Sequence, residues 1–132
     1  MKGDFQMYQI KENQLITEQG IVQFPHSIYS AMEIKGVIVV ILACWSEPDD
    51  LDNMYGVKDG KIIWRVQPQL EFKPYIWSGA FTPLGESKGN PYCGIDIYKK
   101  DPSLIIAVDA CGFRYLIDPA TGKIVGEESW VK

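Results

Sequence analysis

Apolar residues along this chain fall in alternating runs or in short unbroken blocks, and almost nowhere at helical spacing. The most regular stretch, Ser103 to Val125, sets the pattern. Leu104 to Cys111 is β-branched and apolar, with too few polar positions for an amphipathic helix, and predicts a central strand. Gly112 supplies a turn, and Phe113 to Ile117 alternates as a half-buried strand should. The chain then reverses at Asp118-Pro-Ala-Thr-Gly122. Pro119 presets φ, Asp118 can bond its own backbone two residues on, and Gly122 accepts a left-handed conformation. Lys123 to Val125 returns as the third strand.

An earlier stretch matches this one. Val37 to Cys44 precedes an acidic loop and then Met54 to Trp64, so each copy runs strand, Ala-Cys, loop, Tyr, turn, Gly-Lys-Ile. Pro25 precedes Cys44 and Pro91 precedes Cys111 at nearly equal distance, while Ile28-Tyr29 and Ile95 to Tyr98 open strand-like segments in between. Matched order predicts an internal repeat of two four-stranded meanders. Ile28 to Ile34 contains Ala-Met-Glu, which suits a short helix, but its alignment with the second copy favours a strand, which is our reading.

Around the repeat, Phe5 to Ile10 and Leu15 to Thr17 predict an opening hairpin about the polar turn Lys11 to Gln14. Ile21 to Phe24 is a further short segment, ended by Pro25. Gln67 to Asn90 holds Pro68, Pro74 and Pro83 with Gly79, Gly85 and Gly89, and predicts a loop-rich connector with one strand at Tyr75 to Phe81. The expected layout is a hairpin over 4–17, a first meander over 21–66, the connector over 67–90, a second meander over 91–126 and a tail over 127–132 anchored by Trp130. The fold class is all-β, two antiparallel meanders packed as a sandwich or partly closed barrel, with the hairpin covering one edge. Open sheet edges make a homodimer an expected assembly.

At 132 residues, with 46% hydrophobic and 23% charged, the chain has the make-up of one globular domain. Its net charge of −4 and its two arginines, Arg65 and Arg114, leave no basic field for nucleic acid. The amino terminus lacks a secretory pattern, and the longest apolar run, Val37 to Trp45, falls short of the ~20 residues of a membrane helix, so a cytoplasmic protein is expected. Cys44, Cys93 and Cys111 are an odd number with no CxxC spacing, and two of them sit in apolar strand context, which reads as reduced core thiols, with a Cys44 to Cys111 disulfide as the alternative.

Asp118-Pro-Ala-Thr-Gly-Lys-Ile-Val, together with Lys58-Asp-Gly-Lys-Ile-Ile-Trp64, resembles the strand-turn-strand signature of pyrroloquinoline-quinone-type β-propeller blades, in which an Asp and a Thr-Gly turn precede a docking tryptophan. Trp64 stands at the tryptophan position, Gly126 replaces it in the second copy, and the first copy lacks the Thr. A propeller needs at least about four blades, so the resemblance implies blade-like meanders and carries over no quinone binding. Gly112-Phe-Arg-Tyr115 followed by Asp118 to Ile124 is also similar to the end of short uncharacterised bacterial proteins, which implies an origin and no activity.

The inventory of reactive groups is short. His26 is the sole histidine, which excludes a two-His metal site within one chain, and pairing it with Cys44 or Cys111 would recruit thiols that strand burial makes unreactive. Glu47, Asp49, Asp50 and Asp52, with Asn53, offer oxygens to a hard cation but lack EF-hand spacing. They read as a solvated loop or as an acidic lip for a basic partner. Asp109 falls in an apolar strand, aligned with Leu42, and needs a partner: Arg114 or backbone amides closing the hairpin, or else a role as a pocket carboxylate. Tyr75, Trp77, Phe81 and Tyr92 cluster in or near the connector as anchors for protein recognition or as a lid on the core.

The expected function is a non-enzymatic protein-interaction module, an immunity or regulatory partner, using the acidic loop and the connector aromatics. The alternative is a small-molecule binder with a cavity of at least ~300 Å³ between the meanders, lined by Tyr, Trp and Met. An enzyme using Asp109, Asp96 or Cys93 has least support, because no motif places a second group. No catalytic residue, metal, cofactor or membrane contact is expected.

Overall fold

The computed structural model describes residues 8–43, 51–71, 91–110 and 112–128. Strands β1 (Tyr8–Lys11), β2 (Gln14–Thr17) and β3 (Gly20–Gln23) form a first sheet. Strands β4 (Ile28–Ile34), β5 (Val37–Leu42), β6 (Met54–Lys58) and β7 (Lys61–Arg65) form a second, and β8 (Tyr92–Ile97), β9 (Ile105–Asp109), β10 (Arg114–Ile117) and β11 (Ile124–Glu127) a third. Every pairing is antiparallel between consecutive strands, so the two expected meanders are the second and third sheets. None closes into a barrel. Ile28–Ile34 is a strand, held along β5. No helix among the described residues is long and apolar enough to cross a membrane.

The sheets stack face to face, with the second in the middle, and β5 shows why. All six of its residues are buried, and its alternate positions serve two cores. Val37, Val39 and Ile41 pack with Tyr92, Ile105, Ala107 and Ile117 of the third sheet. Ile38, Val40 and Leu42 pack with Leu15, Val22 and Phe24 from the first.

This corrects two expectations. Gly20–Gln23 pairs with β2 rather than opening the first meander, and the amino-terminal strands cover a face of the second sheet, not an edge. The unalternating run VIVVIL requires cover on both sides, and a hairpin at an edge would leave one apolar face wet.

Register proves the repeat residue by residue. Val39 pairs with Gly56 as Ile106 pairs with Leu116, and β-bulges fall at Gly56/Val57 and Leu116/Ile117 alike. The opening strands are bulged too, at Ile28/Ser30 and Tyr92/Gly94, which makes Tyr92 the counterpart of Ile28 and Asp109 that of Leu42. Leu42 faces the first sheet and Asp109, with Ile105 and Ala107, the second. The units therefore stack head to tail, each laying the same face on its predecessor.

Candidate functional site

The seam between the second and third sheets is fastened by side chains of the second. Trp64 on β7 lies against Gly56 of the opposing strand and reaches across to Gly122. A Cβ at Gly56 would stand 2.3 Å from the indole and one at Gly122 2.5 Å, so both positions must be glycine for the ring to fit. The indole Nε1 donates to the Pro119 carbonyl at 2.7 Å. Asn53, buried, donates to the carbonyls of Leu42 (2.8 Å) and Tyr92 (2.9 Å) and accepts from the Tyr92 amide (2.7 Å). Beside Trp64, the Gln67 amide donates to the Gly122 carbonyl and its side chain accepts from the Ile124 amide. Buried polar groups paired this completely fix orientation as well as distance.

Above these fastenings, at the turn end of the seam, a groove of about 350 Å³ opens between the sheets. Its floor is Val37, Ile63, Leu104 and Pro119. Lys35, Lys58, Ser103 and Asp118 supply its polar groups. This open groove lacks the Tyr, Trp and Met lining expected of a cavity between the meanders. Trp64, Met54, Tyr92 and Tyr115 are consumed by the core, the two tyrosines packing edge to face with centroids 6.0 Å apart.

A second feature lies on the sheet edges. Among the described residues, the large apolar side chains left substantially exposed are Ile10, Ile21, Tyr29, Ile62, Ile63, Ile97 and Val125. All seven stand on edge strands, and the inner strands carry none. Strand β7 alone has two in succession, each 44% exposed, between exposed Lys61 and Arg65. Arg65 is tied back, its Nε donating to the Asp52 carbonyl at 2.7 Å and its guanidinium lying 5.3 Å from the Tyr55 ring centre.

Elsewhere, Tyr98 and Lys100 of the β8 to β9 loop both bond the Glu128 carboxylate, the ammonium at 2.9 Å. The Tyr98 hydroxyl, and after it Lys100, hold the Glu128 carboxyl below the usual range, while that same bond raises the Tyr98 phenol. Burial pushes the Asp52 carboxyl up, partly opposed by Arg65.

Among the described residues singled out from sequence, Tyr92, Cys93 and Asp109 meet where β8 pairs with β9, the Cys93 Sγ donating to the Asp109 carbonyl at 3.6 Å. Tyr92 is fully buried, because it opens β8 directly opposite Asp109 inside the seam, and it cannot meet a partner. Asp109 is buried and closes its hairpin through backbone: its Oδ1 accepts from the Phe113 amide at 3.0 Å and its carbonyl from Gly112 at 3.0 Å. Arg114 is exposed on β10. Cys93 is exposed and in no disulfide, and Asp96 is exposed on β8. Tyr75, Trp77, Phe81, Glu47, Asp49 and Asp50, together with Cys44 and Cys111, lie outside the described residues. Sequence reasoning missed Lys35, Lys58, Ile62 and Ile63. The visible signal was lysine at two tight glycine turns, Lys35-Gly36 and Lys58-Asp-Gly60.

No curated protein and no solved structure matches this chain. One family model does, over residues 5–129, and the chain therefore belongs to the family described as domain of unknown function DUF7957.

Proposed function

We propose that this chain is a non-enzymatic protein-interaction module, and that strand β7 is its contact edge. The observation that carries the reading is that, among the described residues, the exposed large apolar side chains are confined to edge strands, with Ile62 and Ile63 the one consecutive pair among them. An edge strand offers unpaired ladder groups on one side, and proteins normally blunt such edges with charge. Here Lys61 and Arg65 flank an apolar centre instead of replacing it. An extended segment added to β7 would gain main-chain hydrogen bonds from the ladder and selectivity from the isoleucines. Immunity or regulatory partners that work by occupying another protein need no more than such a surface.

A photo-cross-linking residue placed at Ile63, with Glu18 in the exposed β2 to β3 turn as control, tests this in cells. The reading expects a discrete adduct from position 63 and none from position 18. An adduct at twice the mass of the chain would make the partner a second copy, the expected homodimer. Equal labelling at both positions, or none at either, contradicts the reading.

A further inference from the structure

Two-residue turns with both central residues at positive φ join β4 to β5 at Lys35-Gly36 (φ 53°, 83°) and β6 to β7 at Asp59-Gly60 (φ 53°, 77°). Such turns match the right-handed twist of a hairpin and hold its end rigidly. In a meander, alternate turns share one end of the sheet, so Lys35 and Lys58 are fixed on the same rim. Stacking of the third sheet brings Leu104 and Pro119 beneath that rim and completes the groove.

The charge of the groove runs against that of the chain. The protein carries −4 overall, yet among the described residues neither Lys35 nor Lys58 takes part in an ion pair. Asp101 feels the field of Lys35, but its carboxylate is engaged by the Ser103 hydroxyl (2.7 Å) and amide (3.2 Å). Asp118, the acidic side chain of the lining, is partly satisfied by the Ala120 amide at 2.9 Å. Within the lining itself two ammoniums stand against one carboxylate over an apolar floor, while Asp101, bonded to Ser103 outside the lining, keeps its own charge. The volume lies in the range of small-molecule sites, at its lower end.

We propose that this groove binds small organic monoanions, molecules with one carboxylate or sulfonate on an apolar body. Lys35 and Lys58 hold the head group, and Val37, Ile63, Leu104 and Pro119 seat the body. Asp118 disfavours a dianion such as a phosphate monoester, because its own charge would face the second negative charge. The site shares Ile63 with the β7 edge, but head-group capture by Lys35 and Lys58 uses no residue of that strand.

The test is a fluorescence titration with anilinonaphthalene sulfonate, set against phenylnaphthylamine, which keeps the rings and lacks the sulfonate. The proposal expects saturation at one dye per chain, weakening with added salt, and displacement by octanoate. The double variant Lys35→Met, Lys58→Met should bind about tenfold more weakly or worse, as loss of a charge-assisted contact requires. Both lysines are exposed and outside ion pairs, so its melting temperature should match the parent, and the loss then reads on binding alone. Equal affinity of parent and variant, equal binding of the neutral probe, or failure of octanoate to compete would each overturn it.

Discussion

Strands β7 and β11 occupy the same place in two copies of one meander and are used in opposite ways. On β7 the large residue, Trp64, faces the small one, Gly56; on β11 the small residue, Gly126, faces the large one, Leu116. The same inversion follows along the chain. The Val66 amide bonds the Met54 carbonyl just as the Glu128 amide bonds that of Arg114, which makes Glu128 the counterpart of buried Val66. Asn53, whose carbonyl receives the Leu42 amide, has Phe113 as its counterpart, receiving that of Asp109. Asn53, Trp64 and Val66 all serve the seam with the third sheet. The two copies share backbone register and differ at the positions aimed at a following sheet. Head-to-tail stacking explains why: only the second sheet has a described successor to hold.

The comparison can be broken most severely at Trp64. Trp64→Ala removes a core side chain at the seam and should cost about 3–5 kcal/mol in urea unfolding, far more than any change at Gly126. Asn53→Ala leaves the Tyr92 amide and two carbonyls without their partner and should cost about 3 kcal/mol, whereas Phe113, half-buried, should show no comparable polar penalty.

The smallest effects are those of pH. Glu128 titrates below its unfolded value, so its contribution is complete above the ordinary carboxylate range and is lost as pH falls through the lowered value. Glu128→Gln should therefore narrow its deficit against the parent in acid. Asp52, beside Arg65 at the matching end of the second sheet, has the reverse sign. Its folded carboxyl titrates above the unfolded value, so stability is greatest below the ordinary range and declines as pH rises through the raised one. Asp52→Asn should be the more stable chain at neutral pH, and a stability profile against pH for both variants checks the pair.

Much of this frame was legible in the residues. Period-two runs, glycine turns and the matched Tyr-turn-Gly-Lys-Ile order gave both meanders, and Asp118 to Gly122 turns as its composition dictates. The repeat was misaligned at its start, where Ile95 stood in for the counterpart of Ile28, because the β4 to β5 turn has two residues and the β8 to β9 loop is longer. Counting back from the cysteines cannot see that difference. The first sheet's position was implied by VIVVIL, whose want of alternation means two buried faces.

The groove was not legible. Lys35 and Lys58 meet Leu104 and Pro119 only when two sheets stack, and no local pattern records that meeting. Tyr92 misled because it neighbours a breaker-rich segment while belonging to a strand inside the seam.

The most direct test of the inverted pair is Gly56→Ala and Gly126→Ala, compared by urea denaturation. A methyl at Gly56 would meet the Trp64 ring at 2.3 Å, whereas one at Gly126 would sit 3.4 Å from Leu116 in ordinary contact. The account predicts a loss of about 2–3 kcal/mol or more at Gly56 from overpacking, and a change within about 1 kcal/mol at Gly126. Equal losses at the two glycines would contradict it, since Trp64 would then not be seated on Gly56.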